Sequence, residues 1–135
     1  MGTVEKQMKD TLDKVVKRIN SRIEALVDEA DAYSRKMNED YEYFFSWEAE
    51  SMYKVQITLQ AYRRLKHVVD NGILSDVKDH LKRKIEWISN NLINGSLRLS
   101  SSSATTSIAH ILRLEVEQKI RTEFIMLLDL IQEQA

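Results

Sequence analysis

The chain reads as all-α, with one very long N-terminal helix followed by two shorter ones. Three observations predict this. A helical-period apolar stripe runs through the first half, the 135 residues hold no proline and only three glycines, and no sustained alternating run bounded by turns signals a strand. Proline breaks helices and glycine weakens them, so their scarcity permits unusual helix length.

The first helix is expected over residues 3–69, with Thr3 as N-cap. Its stripe runs Val4, Met8, Leu12, Val15, Ile19, Ile23, Leu26, Ala30, Tyr33, Met37, Tyr41, Phe44, Glu48, Met52, Val55, Leu59, Tyr62, Leu65 and Val69. The steps are mostly four, four and three, an eleven-residue repeat of about 3.6 residues per step, which favours a straight or slightly right-handed stripe over a heptad seam. A helix of that length is roughly 100 Å long at ~1.5 Å per residue. It needs a partner to cover the stripe, as in a coiled coil or helical bundle. Glu48 alone interrupts the apolar face. It either pairs with a cation of a partner and fixes register, or lies at the stripe's edge and reaches water.

Asp70-Asn71-Gly72 is the first stop signal, read as a break or kink at 70–72 with Gly72 in the left-handed conformation of a helix C-cap. The next stripe, Ile73, Val77, Leu81, Ile85, Ile88 and Leu92, marks a second helix over 73–93. Because it keeps phase with Val69, a continuous helix through Gly72 is the competing reading, at a cost of about 1 kcal/mol. Residues 94–107 are more than half Ser and Thr and read as a loop, since those side chains compete for backbone hydrogen bonds. The last helix is expected over 108–133, with Ile108, Leu112, Val116, Ile120, Phe124, Leu127 and Ile131 inward. The two shorter helices form a hairpin or bundle with the first. Over Phe124–Ile131 seven of eight residues are apolar, so that turn is either buried in a bundle or covered by another chain.

The formal net charge of −1 hides segregation. Residues 24–50 carry nine acids against two bases, and residues 54–84 carry eight bases against three acids. The basic stretch includes Arg63, Arg64, Lys66, Lys82, Arg83 and Lys84, but a neighbouring acidic stretch repels a phosphate backbone, so nucleic-acid binding is disfavoured. With no cysteine there is neither a disulfide framework nor a thiolate site, which fits an intracellular reducing compartment such as cytoplasm or mitochondrion. No secretory signal peptide and no membrane span are expected.

Chemistry-bearing patterns are missing. His67, His80 and His110 have neither the spacing of an HExxH motif nor the Glu-x-x-His pairs of di-iron bundles, and they read as solvated or capping side chains. The glycines are too scattered for a phosphate loop, and no GxSxG elbow occurs. No enzyme activity, cofactor, metal or small-molecule substrate is expected. The candidate functional residues are instead apolar: Tyr41, Phe44, Phe45 and Trp47 in an aromatic cluster, and Phe124, Leu127, Leu128 and Ile131 in the last helix. They serve either as core or as anchors for other protein subunits or a second copy. Trp87 reads as a packing residue.

Three stretches together resemble the extramembrane, peripheral-stalk part of subunit b of the mitochondrial ATP synthase. They are Tyr43-Phe44-Phe45 followed by Tyr62-Arg63-Arg64-Leu65, then Ile85-Glu86-Trp87-Ile88-Ser89-Asn90-Asn91-Leu92, and Ser107-Ile108-Ala109-His110-Ile111. The resemblance is gapped and covers about residues 15–115. The chain departs from that family in lacking its membrane-spanning part and its Gln/Glu/Lys-rich run before the last helix, where Ser100–Ser103 stands. The resemblance implies a non-catalytic stalk contacting other subunits of a multi-subunit complex, and gives no residue a catalytic role.

The leading expectation is a structural or scaffold subunit, an elongated helical rod docking to a larger assembly. The alternative is a self-contained soluble bundle acting as an adaptor for a partner helix. A nucleic-acid-associated helical subunit comes third.

Overall fold

A computed structural model describes residues 2–98 and 104–132, with side chains over 3–92 and 108–132. Among the described residues all five elements are helices: α1 (Gly2–Glu39), α2 (Tyr41–Trp47), α3 (Ala49–Asn71), α4 (Leu74–Arg98) and α5 (Ala104–Gln132). Thr3, expected as a cap, lies within the first turn of α1.

The expected single helix over 3–69 is interrupted twice. Asp40 leaves the helical region at φ −147°, ψ 89°, and its Oδ1 accepts a 3.1 Å hydrogen bond from the Tyr43 amide, capping α2. Glu48 is the hinge between α2 and α3. The seven-residue α2 is thus a corner, and beyond it α3 returns along α1. Lys36 meets Glu48, the Arg22 guanidinium lies over the Tyr62 ring, and Lys66 reaches Asn20, so pairing runs outward from the corner in antiparallel register. The stripe then faces itself. Val15, Ile19, Leu26 and Ala30 of α1 and Val55, Leu59, Tyr62, Leu65 and Val69 of α3 are buried in one cluster. Burying a Leu-sized side chain is worth about 1.5–3 kcal/mol, so several such burials outweigh the few helical bonds lost at a corner.

The break at 70–72 is present, but its chemistry differs from the expected cap. Gly72 is extended at φ −133°, ψ −174°, with no left-handed residue involved. A Cβ there would stand 2.7 Å from Asp76 Oδ2 and 2.9 Å from the Val68 carbonyl oxygen, so the turn needs glycine for space. The same Asp76 carboxylate accepts from the Ile73 amide at 2.9 Å and starts α4. α4 continues through Asn94 and Gly95 to Arg98 and α5 begins at Ala104, so both helices enter the expected 94–107 loop; residues 99–103 lie outside the described residues. A lone glycine inside a helix costs only about 1 kcal/mol, which neighbouring turns offset.

α4 runs antiparallel to α5 and packs on α3, while α5 also packs on α3 and α1. The long helices therefore alternate in direction, up-down-up-down, around a core completed by Val77, Leu81 and Ile88 of α4 and Val116, Ile120, Phe124, Leu127 and Ile131 of α5.

Candidate functional site: the aromatic corner

α2 holds four of the eight candidate residues, and its short length sorts them. Phe44 is 2% exposed and anchors the corner to the hairpin. Tyr41 and Phe45, one turn apart, pack on the outer side with ring centres 4.6 Å apart and planes tilted by 44°. Phe45 also meets Phe44 edge to face at 5.4 Å, which ties the outer pair to the buried anchor. Trp47, at 73% exposure, Tyr41, at 66%, and Tyr43 and Phe45, both more than half exposed, face away from the protein. Glu39, Asp40, Glu42 and Glu50 are exposed around them. Glu48 is half-buried and its Oε1 lies 3.3 Å from Lys36 Nζ, so the interrupted stripe position is paired within the chain. The surface is aromatic on an acidic ground, suited to apolar contact with a cationic rim.

The other four candidates fall elsewhere, at the positions expected of the core alternative. Phe124, Leu127 and Ile131 are core residues, and Leu128 is half-buried against that core. The apolar turn of α5 closes the bundle, and of its large residues only Met126 is substantially exposed. Corner and α5 do not form one site. Trp87 is also more exposed than a packing residue, with Lys84 Nζ 4.2 Å from its ring centre.

A polar network not legible in the sequence lies between α1, α3 and α5. Glu123 Oε1 accepts from Tyr62 Oη at 2.8 Å and from Arg22 Nε at 2.8 Å, with Arg22 Nη2 3.4 Å from Oε2. Burial, the Glu123 charge and the hydrogen bond to it push the Tyr62 hydroxyl well above its usual range, so it stays a donor. The arrangement clamps α1, α3 and α5 together through one carboxylate. Elsewhere, buried Glu117 is held by Arg113 at 3.0 Å, and its Oε2 has no hydrogen-bond partner among the described residues.

Of the basic residues, Arg63, Arg64, Lys82 and Arg83 are exposed, whereas Lys66 is tied to Asn20 and Asp70. Among the described residues no three His, Cys, Asp or Glu side chains gather as a metal site, and no helix is long and apolar enough to cross a membrane.

Fold and surface define a class: an all-helical bundle with an exposed aromatic corner. Comparison of the chain with protein families, with curated proteins and with solved structures gives no match.

Proposed function

We propose that the protein is a non-enzymatic adaptor or scaffold subunit, a helical bundle that joins other proteins through the aromatic corner. The observation that carries this reading is the exposure of Tyr41, Tyr43, Phe45 and Trp47 on one seven-residue helix while Phe44 beneath them secures it. Four large rings held toward water contribute nothing to the bundle's core, and clustered apolar exposure of this kind marks interaction surfaces. The acidic surround favours a partner that combines an apolar pocket with lysine or arginine at its edge. A rod requires an unbroken helix over 3–69, and the break at Asp40 favours a bundle about as long as α1, roughly 57 Å at ~1.5 Å per residue. The resemblance to a stalk subunit adds no residue to this reading.

The test is affinity purification from the native source with the wild-type chain and with a Tyr41→Ser, Phe45→Ser, Trp47→Ser variant of equal thermal stability. A stoichiometric partner held by the wild type and lost with the variant supports the proposal. Identical recovery with both chains removes the corner from docking.

A further inference from the structure

The two charged regions of α1 are not equivalent. Its acidic second half leads into the corner, whereas its first half presents Lys14, Lys17 and Arg18 toward α5. None of these three takes part in an ion pair among the described residues. Between α1 and α5 lies an open groove of about 810 Å³. Its α1 wall continues through Ser21 and Ala25, at the three- and four-residue steps that hold side chains on one line. From Lys14 to Ala25 the wall is about 17 Å long, some three turns of helix. The opposite wall is apolar and comes from Met126, Leu127 and Leu130 of α5. Met126 is 57% exposed, in contrast to the buried neighbours on its helix. Among the described residues Glu123 is the only acid lining the groove, and its charge is already engaged by Arg22 and Tyr62.

We propose that this groove is a docking site for an acidic amphipathic helix of a partner protein, separate from the corner. The row of cations on one side and the row of methionine and leucine on the other match a helix whose apolar stripe, at i, i+3/4 and i+7, is flanked by Glu or Asp. Ser21 and Ala25 are small, so the incoming backbone approaches α1 closely at the groove's inner end. A helix of about three turns fits between the groove's ends. A nucleic-acid backbone fits less well, because beyond Arg22 the same helix turns acidic with Glu24, Asp28 and Glu29 and repels a continuing row of phosphates. The groove also lies away from the aromatic residues, since Ala25 and Asp40 are 15 positions apart, roughly 22 Å along the α1 axis. An adaptor with both surfaces has an acidic aromatic end and a basic groove, and so holds two partners of opposite charge.

The experiment is fluorescence anisotropy at 150 mM salt with a labelled designed peptide of 16 residues, Leu at the stripe positions and Glu and Ala elsewhere. The comparison peptides carry Lys in place of Glu, or the same residues scrambled so that the stripe is lost. Saturable binding of the striped acidic peptide is expected. It weakens at least tenfold with Lys14→Glu, Lys17→Glu, Arg18→Glu and, independently, with Met126→Lys, and it survives Trp47→Ser. All four substituted groove positions are exposed, and an unchanged thermal melt verifies each variant. Equal binding of the scrambled or the Lys peptide, or no saturation, overturns the proposal. So does stronger binding of duplex RNA or of anionic vesicles through the same residues. A wild-type dimer in sedimentation equilibrium that dissociates on the same charge reversal also overturns it, because the occupant is then a second copy. Failure of the corner variant in affinity purification leaves this measurement untouched, so the two readings fail separately.

Discussion

Arg22 and Glu123, 101 positions apart, meet across the α1–α5 seam with Nε 2.8 Å from Oε1. The same carboxylate oxygen takes the Tyr62 hydroxyl from α3, so one side chain on the last helix is held by two others. Tyr62 in turn packs edge to face on Phe124, next to Glu123 in the chain, with ring centres 5.4 Å apart. Polar clamp and apolar core are therefore adjacent on α5.

Tyr62→Phe is expected to lower stability by about 1 kcal/mol, the net worth of a partly buried hydrogen bond, measured by urea unfolding. Alkaline titration followed by tyrosinate absorbance gives a second readout. The wild-type curve is expected to have a component above the ordinary tyrosine range that Tyr62→Phe removes. The folded hydroxyl holds its proton more tightly than the unfolded one, so this group's stability contribution is present below about pH 10 and is lost as pH rises beyond it. An unchanged titration curve in the variant contradicts the clamp.

Gly72→Ala places a methyl group against the Val68 carbonyl and the Asp76 carboxylate. Displacing either costs about 1–3 kcal/mol, the range seen for overpacking, and a differential scanning measurement should show a lower Tm. A higher Tm is the signature of a helix continuous through 72, where Ala is the better helix former.

Leu127→Asp with Leu128→Asp puts carboxylates into the closing turn of α5, where Leu127 is core and Leu128 packs against it. Burial of an unpaired charge costs several kcal/mol, comparable to a domain's whole stability, so circular dichroism should report an unfolded chain. A cooperative melt at the wild-type midpoint means that α5 does not close the bundle.

His80 is held below its ordinary value by burial first, then by Arg83 and Lys84. The unfolded chain binds that proton more readily, so His80 makes the protein less stable as pH falls through about 6.5. His80→Gln should flatten the decline in Tm between about pH 7 and 5.5, and an equally steep decline assigns the effect to other groups.

The sequence carries the helical class well, because apolar residues at steps of three and four identify a buried face whatever covers it. It does not carry continuity. The stripe from Val4 to Val69 keeps its phase across Asp40 and Glu48 because the same face is buried before and after the corner, so periodicity looks identical in a rod and in a hairpin. Asp40 is a capping residue in type, yet with Tyr43 in place of Glu or Gln three positions on it lacks the capping-box pattern, and its neighbours are compatible with helix. Among the candidate residues, type alone could not separate Phe44 from Phe45, whose burial depends on which side of a short helix meets the hairpin. Phe124, Leu127 and Ile131 went to the core because α5 is enclosed by three other helices. Arg22 and Glu123 are ordinary surface-type residues on their own helices, and only the closed bundle joins them.

The alternating direction of the long helices also bears on how the chain finds its structure. Contacts of α1 with α3, α3 with α4, and α4 with α5 all join neighbours along the chain, which is the topology of rapid folders. The exceptions are α3 against α5 and, over the longest span of chain, α1 against α5, a loop of about a hundred residues whose closure entropy is met only once the hairpins exist. The seam spanned by Arg22 and Glu123 is thus the natural last step of assembly and the first place to breathe. Amide hydrogen exchange that loosens along this seam before the α1–α3 hairpin would be its kinetic imprint.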